Sequence, residues 1–574
     1  MPRHFFVRST NALATVLLLL AGSITPNRPL ASEPANAAIF VDITRQVGLD
    51  FQHTSGVRGT YQLREIMGSG AALFDYDNDG DLDIYLINSG DGTNRFFEQT
   101  PDGSFRDVTE RSGLGDPGFG MGTALGDIDN DGDLDIFVTN VGADRLYLND
   151  GHGAFADITA MAGIEGSHWS SSAAFCDIDG DGYLDLYVAT YVESGTFETC
   201  TNQAGEPDYC PPSTYRGVPD QLYLNNGNGT FKNISKTSGI SLIANSGLGV
   251  ICFDFSGDHR DDVLIANDGE PNHLWINQGD NTFQERGLPF GVSVNFFGEP
   301  EASMGIALGD VDGDLDLDVL MTHIDSESNT LYLKTQANLL IDGTIGADLG
   351  YSSVPFTGFG TVFFDVDNDG DLDLAIANGR VRKSPGGRQM TGSNEEPDEF
   401  IDAYAEKNLM MENRGSGEFR TVCGDSNAFC GSLEVSRGLL AGDIDGDGDL
   451  DLLVTNSNGP ARLYRNQSVE VGEKGAWLEI RVIDSSLNRD AIGALVRVFV
   501  DGRWLVRPVI HTTSYLSSAD ATVHFGLGDA LAVDAVVVVW PDGVRERFPS
   551  MKTNHSVVIQ KGHGIIELLP EPHK

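Results

Sequence analysis

Short apolar runs, separated by glycine-rich and acidic turns, recur along most of this chain. An apolar stretch containing small residues, such as 122–126, precedes each acidic segment, and a second apolar stretch, such as 134–138, follows it. Two further stretches complete each unit, one of the Leu-Tyr-Leu-Asn type and one of the Phe-x-Asp-x-Thr type. Short apolar runs between turns predict β-strands. Four antiparallel strands in each repeated unit predict the blade of an all-β propeller.

The acidic segments follow the pattern Asp-x-Asp-x-Asp-Gly-x-x-Asp, two of them imperfectly, and their spacing of roughly fifty residues is typical of propeller blades. They begin at seven positions: Asp75, Asp127, Asp177, Asp254, Asp310, Asp365 and Asp443. A strand of the fourth type at 40–44 precedes the first segment, and the last unit stops after its third strand at 462–466. Because the early strand can complete the last unit, the sequence predicts seven blades in a closed ring without free sheet edges.

Two long insertions, about 191–218 and 381–406, both fall between the second and third strands of their units. Antiparallel alternation places them on the face opposite the acidic segments, which join the first and second strands. Long loops on one face of a rigid scaffold are typical of recognition sites. A connection on the same face carries four residues that are either ligand contacts or ordinary loop residues: His53, Arg58, Tyr61 and Arg64.

Composition narrows the class of partner. The chain has 85 acidic and 37 basic residues, and a net charge of −48 argues against nucleic acid or an anionic membrane as partner. Since 40% of the residues are hydrophobic, this charge belongs to a folded protein rather than to a disordered acidic tail. A cation is therefore the expected counterpart of the carboxylates.

Aspartates at alternate positions of a tight loop supply the oxygen ligands that Ca²⁺ prefers, and glycine at the sixth position permits a positive φ. In the first segment we predict Asp75, Asp77, Asp79 and Asp83 as side-chain ligands, with the Asp81 carbonyl as a further oxygen. The ligands predicted in the other regular segments are Asp127, Asp129, Asp131, Asp133, Asp135, Asp177, Asp179, Asp181, Asp185, Asp365, Asp367, Asp369, Asp371, Asp373, Asp443, Asp445, Asp447, Asp449 and Asp451.

Two segments depart from the pattern, because His259 and Leu315 replace the glycine. Since a positive φ is costly for leucine, the fifth segment is predicted to bend differently or to hold its ion more loosely. Ligands predicted in these two segments are Asp254, Ser256, Asp258, Asp262, Asp310, Asp312, Asp314 and Asp318. Five to seven calcium sites follow from the pattern, and acidic turns that only face water are the alternative.

The start of the chain and its cysteines indicate an exported protein. Residues 1–31 have a basic start and then an apolar run too short to span a bilayer, as in a signal peptide. An uncleaved anchor helix is the alternative. Cys200 and Cys210, like Cys423 and Cys430, flank short loops and could form local disulfides. A third pair, Cys176 and Cys252, lies in apolar strands, where free thiols are at least as plausible as a bond.

Residues 474–570 are predicted to form a separate, compact β-sandwich. Six stretches there alternate or run apolar between turns: 477–482, 494–500, 506–511, 522–525, 535–540 and 555–559. His511 and His524 lie among them, and packing or hydrogen bonding is the expected role of both, because neither has an acid or base partner at fixed spacing.

The acidic loops with their flanking strands resemble the FG-GAP/VCBS repeats of integrin α-chain propellers. The whole chain resembles the cartilage acidic protein family, in which such repeats precede an ASPIC/UnbV domain. The second part of the resemblance depends on Arg489-Asp-Ala-Ile-Gly-Ala494, Tyr515-Leu-Ser-Ser518, Val523-His-Phe-Gly-Leu-Gly528 and Trp540-Pro-Asp-Gly543. It implies a calcium-binding propeller over about 39–468, an ASPIC/UnbV domain over 474–570 and adhesion-type contacts in some members, but no reaction.

Our leading hypothesis is a secreted binding or adhesion module, extracellular or periplasmic. Calcium would rigidify the blades, and the inserted loops would recognise a protein or glycan. The competing hypothesis is a secreted enzyme, such as a polysaccharide lyase or hydrolase, with an active site built from propeller loops or in the central opening. No nucleophile elbow, P-loop or HExxH motif occurs in the sequence, so we predict no catalytic residue.

Overall fold

The computed structural model describes residues 40–195, 198–383, 399–424, 427–468 and 475–566. The predicted export signal lies outside this part of the chain. Within it, no helix is long and apolar enough to cross a membrane. All helices are short, and their bounds are Arg64–Met67, Thr109–Ser112, Thr159–Ala162, Pro212–Thr214, Ser235–Ser238, Ile240–Leu242, Gly287–Phe290, Leu349–Ser353, Glu399–Tyr404 and Ala428–Gly431.

Seven antiparallel four-stranded units make up the larger part of the fold. The first strands are Ala71–Phe74, Gly120–Gly126, His168–Cys176, Gly247–Phe253, Ile306–Gly309, Gly358–Phe364 and Ser436–Gly442. Each first strand contacts the first strand of the next unit, and the seventh contacts the first. The units therefore close a ring around a channel, and we number them blades 1 to 7 in that order. The prediction of an all-β propeller is confirmed.

The outer strands follow the predicted order in every blade. The second strands are Asp83–Leu86, Asp135–Gly142, Asp185–Thr190, Asp262–Asn267, Asp318–Met321, Asp373–Asn378 and Asp451–Asn456. The third strands are Arg95–Gln99, Arg145–Asn149, Gln221–Asn225, His273–Asn277, Thr330–Lys334, Leu409–Asn413 and Arg462–Asn466. The fourth strands are Phe105–Asp107, Phe155–Asp157, Phe231–Asn233, Phe283–Glu285, Leu340–Asp342, Phe419–Thr421 and, for blade 7, Phe40–Asp42.

Blade 7 is completed by the start of the described chain, as predicted. Phe40–Asp42 pairs antiparallel with Arg462–Asn466, and Phe40 lies opposite Asn466. Between neighbouring blades the apolar side chains form continuous cores; Phe74 and Tyr85 of blade 1, for example, pack with Leu125 and Ile136 of blade 2. Strand pairing thus closes the ring between its first and last described strands, and apolar packing holds every blade boundary.

The C-terminal part forms two sheets around one apolar core, in agreement with a sandwich. The first sheet contains Trp477–Asp484, Arg489–Asp490, Val523–Gly526 and His555–Gln560. The second contains Leu495–Val500, Arg503–Pro508, Ala535–Val539, Arg545–Phe548 and Ile565–Ile566. Two short pairs lie outside these sheets, Ala532–Val533 with Met551–Lys552 and Thr512–Thr513 with Ser517–Ala519.

One hairpin of the C-terminal part, residues 512–519, fills the propeller channel, and we call it the plug. Ser517–Ala519 pairs parallel with the first strand of blade 1, and the backbone of Ser514 exchanges two hydrogen bonds with Ile306 of blade 5. At the tip, Tyr515 and Leu516 pack with residues of both insertions. The sequence prediction of an independent C-terminal domain is therefore incomplete, because this domain reaches across the ring.

Glycine at the channel wall makes room for the plug. A Cβ atom on Gly70 would lie 1.8 Å from the Leu516 carbonyl oxygen, and one on Gly122 would lie 2.7 Å from it. Glycine stands five residues before the first aspartate in six of the seven acidic loops, and Ser172 takes this position in blade 3. At the three glycine positions of blades 4, 5 and 6, a Cβ atom would instead meet a backbone carbonyl of the next blade, so the recurring glycine permits close packing of the first strands as well as of the plug.

All six cysteines form disulfide bonds: Cys176 with Cys252, Cys200 with Cys210, and Cys423 with Cys430. The first bond joins the first strands of blades 3 and 4, where the sequence left free thiols open. The other two close the local loops that the spacing indicated. Both insertions lie between second and third strands, and Cys200–Cys210 closes the first of them.

Candidate metal centres

Aspartates one, three and nine of the acidic loops converge. In at least five loops, one carboxylate oxygen from each of these three residues lies within 4.8 Å of the other two. These triads are Asp75, Asp77 and Asp83; Asp127, Asp129 and Asp135; Asp177, Asp179 and Asp185; Asp310, Asp312 and Asp318; and Asp365, Asp367 and Asp373. The structure thus brings together the predicted side-chain oxygens of one irregular loop as well as four regular ones.

The same bend forms in all seven loops. The carboxylate of the first aspartate accepts the backbone N–H of the sixth residue, at 3.0 Å for Asp75 and Gly80 and at 3.1 Å for Asp310 and Leu315. Leu315 takes a φ of 74° and His259 takes 64°. The prediction that the fifth loop bends differently is wrong, because three backbone N–H groups of this loop donate to Asp310 and offset the roughly 1–2 kcal/mol cost of one left-handed residue. Looser ion binding there stays a prediction.

The ninth aspartate ties each loop to the third strand of its own blade. Asp83 accepts the backbone N–H of Gln99 at 2.8 Å, and Asp185 accepts that of Asn225 at 2.7 Å. The remaining pairs, at 2.7 to 2.9 Å, are Asp135 with Asn149, Asp262 with Asn277, Asp318 with Lys334, Asp373 with Asn413 and Asp451 with Asn466. One oxygen of this buried carboxylate is thereby fixed by the blade itself.

Positions five and seven have other contacts. The fifth aspartate caps the loop, since Asp79 accepts the N–H of Asp81 at 3.0 Å, and Asp131, Asp181, Asp369 and Asp447 make the same contact. At position seven, Asp133 accepts a hydrogen bond from the Asn78 side chain of the preceding loop, and Asp449 accepts one from Asn368 in the same way. Asp371 forms an ion pair with Arg503. These seventh side chains point to neighbours, which leaves the backbone carbonyl as the possible ligand.

The loop of blade 4 differs most from the others. Asp258 forms an ion pair with Arg260 of the same loop, and the Ser256 hydroxyl donates to Asp254 at 3.4 Å. A guanidinium therefore neutralises one of the carboxylates predicted to bind calcium here. This loop is the weakest of the seven candidates.

Burial makes the charged form of the loop carboxylates unfavourable when no cation is beside them. It raises the pKa of Asp83, Asp185 and Asp318 each to about 8, against an ordinary value near 4. Among the described residues, the buried Oδ1 atoms of Asp77 and Asp177 have no hydrogen-bond partner. Unpartnered buried oxygens in an all-oxygen set fit a hard divalent cation such as Ca²⁺, which would supply the missing positive charge.

The C-terminal domain covers the acidic-loop face. Three of its side chains form hydrogen bonds with the backbone carbonyl of the sixth loop residue. Arg489 donates to this carbonyl in the loop of blade 3 at 3.4 Å, and Arg507 donates to it in the loop of blade 6 at 3.3 Å. The ring of His524 lies 3.0 Å from it in the loop of blade 7. Arg489 also lies 3.8 Å from Asp177. Buried cations of this domain thus compensate part of the loop charge.

Sequence reasoning missed the residues that join one blade to the next. The side-chain amide of the last residue of the third strand donates a hydrogen bond to the backbone carbonyl of the second residue in the acidic loop of the preceding blade. Asn149 donates in this way to the Tyr76 carbonyl at 2.9 Å. The same contact is made by Gln99, Asn225, Asn277, Asn413 and Asn466. The recurring Asn of the Leu-Tyr-Leu-Asn stretch was the available signal.

Other residues singled out from the sequence have structural contacts. His53 is buried, with Ser89 at 3.0 Å from one ring nitrogen and the backbone N–H of Asn458 at 3.0 Å from the other. Arg58 pairs with Asp91, the Tyr61 ring packs against Tyr209, and Arg64 lies over Phe119. His511 and His524 are buried and lie against backbone carbonyls, as expected for hydrogen-bonding histidines.

Family models match both parts of the chain. Residues 484–565 match the model described as ASPIC and UnbV. Residues 75–138, 127–188 and 254–321 match an FG-GAP-like repeat, and residues 437–471 match an FG-GAP repeat.

Cartilage acidic protein 1 of Mus musculus is 25% identical over 370 residues, which cover 63% of this chain and 51% of that protein. The Homo sapiens protein of the same name is 26% identical over 333 residues, covering 57% and 45%. The chain spans about half the length of these curated relatives. A solved Agrocybe aegerita lectin with specific recognition of non-reducing terminal N-acetylglucosamine aligns at 13% identity and a TM-score of 0.39, over 70% of this chain and 95% of its own. The chain is an FG-GAP-repeat protein with a C-terminal ASPIC and UnbV domain, related at modest identity to proteins named cartilage acidic protein 1.

Proposed function

We propose that this protein is a secreted, calcium-binding module for extracellular recognition. Ca²⁺ held by the blade loops would rigidify the ring and its contact with the C-terminal domain, while the opposite face binds a protein or glycan ligand. The observation that carries the proposal is the convergence of three aspartate oxygens in blades 1, 2, 3, 5 and 6, each set including a buried ninth aspartate, on an apolar framework that repeats the same geometry. Three disulfide bonds support an oxidising compartment.

The occupied channel bears on the enzyme alternative. An active site in the central opening would need free volume there, and residues 512–519 fill it with hydrogen-bonded backbone. The matched family descriptions and the names of the curated relatives mention no reaction. Recognition by the inserted loops is therefore the function that we favour.

Two measurements on the purified protein test this proposal. Metal analysis after dialysis in calcium is expected to return about one Ca²⁺ for each regular loop, and much less would contradict the metal part. An array of extracellular proteins and glycans, probed in calcium and in chelator, is expected to show calcium-dependent capture without turnover. Released product would instead support a secreted lyase or hydrolase.

A further inference from the structure

A cavity of about 340 Å³ opens on the insertion face, next to the residues that hold the plug tip. Part of its lining is apolar, from Met67, Met304 and Phe359, which are all buried. Phe359 packs edge-on against the plug residue Tyr515, with ring centroids 4.8 Å apart. The cavity is therefore built on the rigid centre of the ring rather than on a loop alone.

Aromatic side chains of the first insertion form a second part of the lining. Tyr191, Tyr209 and Tyr215 all border the cavity. Tyr191 is fully buried and packs edge-on against Trp169, and the Cys200–Cys210 bond fixes the segment next to Tyr209. Three tyrosines at one small cavity make its lining aromatic.

Three carboxylates complete the lining, and each accepts a hydrogen bond from a neighbouring group. Asp268 accepts the Tyr191 hydroxyl at 2.6 Å. Glu270 accepts the backbone N–H of Ser246 at 2.8 Å, and Glu327 accepts that of Ala302 at 2.9 Å. Arg382, an exposed side chain, is the one guanidinium among the described lining residues. The lining therefore carries a net negative charge.

The charge at Asp268 lacks full compensation. Burial is the main cause that raises its pKa to about 6, and the nearby carboxylates of Glu327 and Glu270 add to the effect, whereas the Tyr191 hydroxyl and Arg382 oppose it. A half-buried carboxylate in this situation is stabilised by any cation that reaches it. The volume is at the small end of ligand pockets, which suits a side chain or a small molecule rather than a polymer.

We propose that this cavity binds an alkylammonium group, with Asp268 as its counter-ion. The tyrosine rings would contact the cationic head, and the methionines and Phe359 would contact the alkyl chain. A neutral sugar would also use aromatic and acidic groups, but it would leave the net charge of the lining uncompensated. The same chemistry is offered by a free amine and by a lysine side chain of a protein. The inference deepens the proposed function, since it names a ligand class for the recognition face.

Titration calorimetry on the full protein in calcium tests the cavity with paired probes. Pentylammonium is compared with pentanol, and the peptide acetyl-Gly-Lys-Gly-amide with its norleucine counterpart. We expect each cation to bind at least about tenfold more tightly than its neutral partner. Tighter binding of the peptide would identify a lysine side chain as the source of the cation, and tighter binding of pentylammonium a free amine. Equal binding of charged and neutral probes would overturn the proposal.

Substitutions locate the effect. Asp268→Asn keeps an acceptor for Tyr191 and is expected to remove the preference for the cation, whereas Arg382→Gln is expected to strengthen cation binding severalfold. Glu193→Gln, an exposed carboxylate of the same insertion outside the cavity, is the matched control and should change nothing. Unchanged cation binding in Asp268→Asn would refute the assignment.

Failure of this inference and failure of the proposed function give different results. Calcium content and array capture are measured on the same samples. If the cavity binds no cation while calcium stoichiometry and capture persist, only the cavity assignment falls. If calcium and capture are absent, the proposed function falls whatever the probes show.

Discussion

The two faces of the propeller are built by different rules. On the acidic-loop face, the same contacts recur from blade to blade: the first aspartate to the sixth N–H, and the ninth aspartate to the third strand. On the opposite face one contact recurs, from the backbone N–H at the end of a second strand to a side-chain oxygen before the third strand, as from Asn88 to Asn94, but the connections themselves differ. They include two insertions of unrelated sequence and two local disulfides, and they border an acidic, aromatic cavity.

Under the proposed function, this difference separates a structural task from a recognition task. Every blade needs the same bend and the same link to its neighbour, so the repeated face keeps one set of residues. A ligand is met once, so the other face can differ from blade to blade. The plug connects the two, since it enters beside the acidic loops and ends among the insertions.

Removal of calcium should have the largest effect, and it should act through the acidic-loop face. Each site held at 100 times its dissociation constant contributes about 2.7 kcal/mol, and several sites add up. We expect calorimetry to show a much lower melting temperature in EGTA than in calcium. A melting temperature that is the same in both would contradict the metal part of the proposal.

Truncation of the plug tip should be the next largest effect. Tyr515→Ala removes a fully buried ring that packs on Phe359, and the expected loss of unfolding free energy is about 3–5 kcal/mol. Tyr515→Phe removes only the hydroxyl, which donates to the Met67 carbonyl at 3.3 Å, and should cost about 1 kcal/mol. Denaturant unfolding in calcium measures both, and equal losses would argue against a packed plug.

The metal-free protein should lose stability as pH rises. Because burial raises the folded-state pKa of Asp83, Asp185 and Asp318 to about 8, the folded chain retains protons that the unfolded chain releases near pH 4. For each such carboxyl group, the unfolding free energy therefore falls by about 1.4 kcal/mol for every pH unit between about pH 4 and about pH 8. Melts in EGTA from pH 5 to 7.5 should show this decline.

In the proposed function calcium replaces those protons, so the same series in saturating calcium provides the comparison. There the decline should disappear or reverse, since calcium binds more tightly as the carboxylates lose protons. A pH dependence that is identical with and without calcium would show that the titrating groups do not contact the ion.

A single loop glycine should have the smallest effect. Gly80→Ala places a side chain at a φ of 95° where no atom lies within 4 Å, so only the backbone conformation is tested. The expected loss is about 1–2 kcal/mol. Gly350→Ala, which also meets open space but has no positive φ, is the control and should be neutral or slightly stabilising. Similar losses at both positions would remove the argument from φ.

The blades, their closure and the convergence of the loop aspartates were predictable because their causes are local. Strand period, turn residues and the spacing of aspartates act within a few residues, and repetition made each signal visible several times. Even the partner of Phe40–Asp42 followed from counting strands. The alternating strands of the C-terminal sandwich were predictable for the same reason.

The remaining features depend on residues that are distant in sequence. The amide that joins Asn149 to the preceding loop and the bond between Cys176 and Cys252 exist only once neighbouring blades have packed together, and the plug finds its channel only once the ring has closed. Leu315 shows the same dependence, because its local preference for negative φ yields to the hydrogen bonds of the whole loop. Local chemistry determined the repeated units, whereas packing across the ring decided what fills its centre and how its two faces are connected.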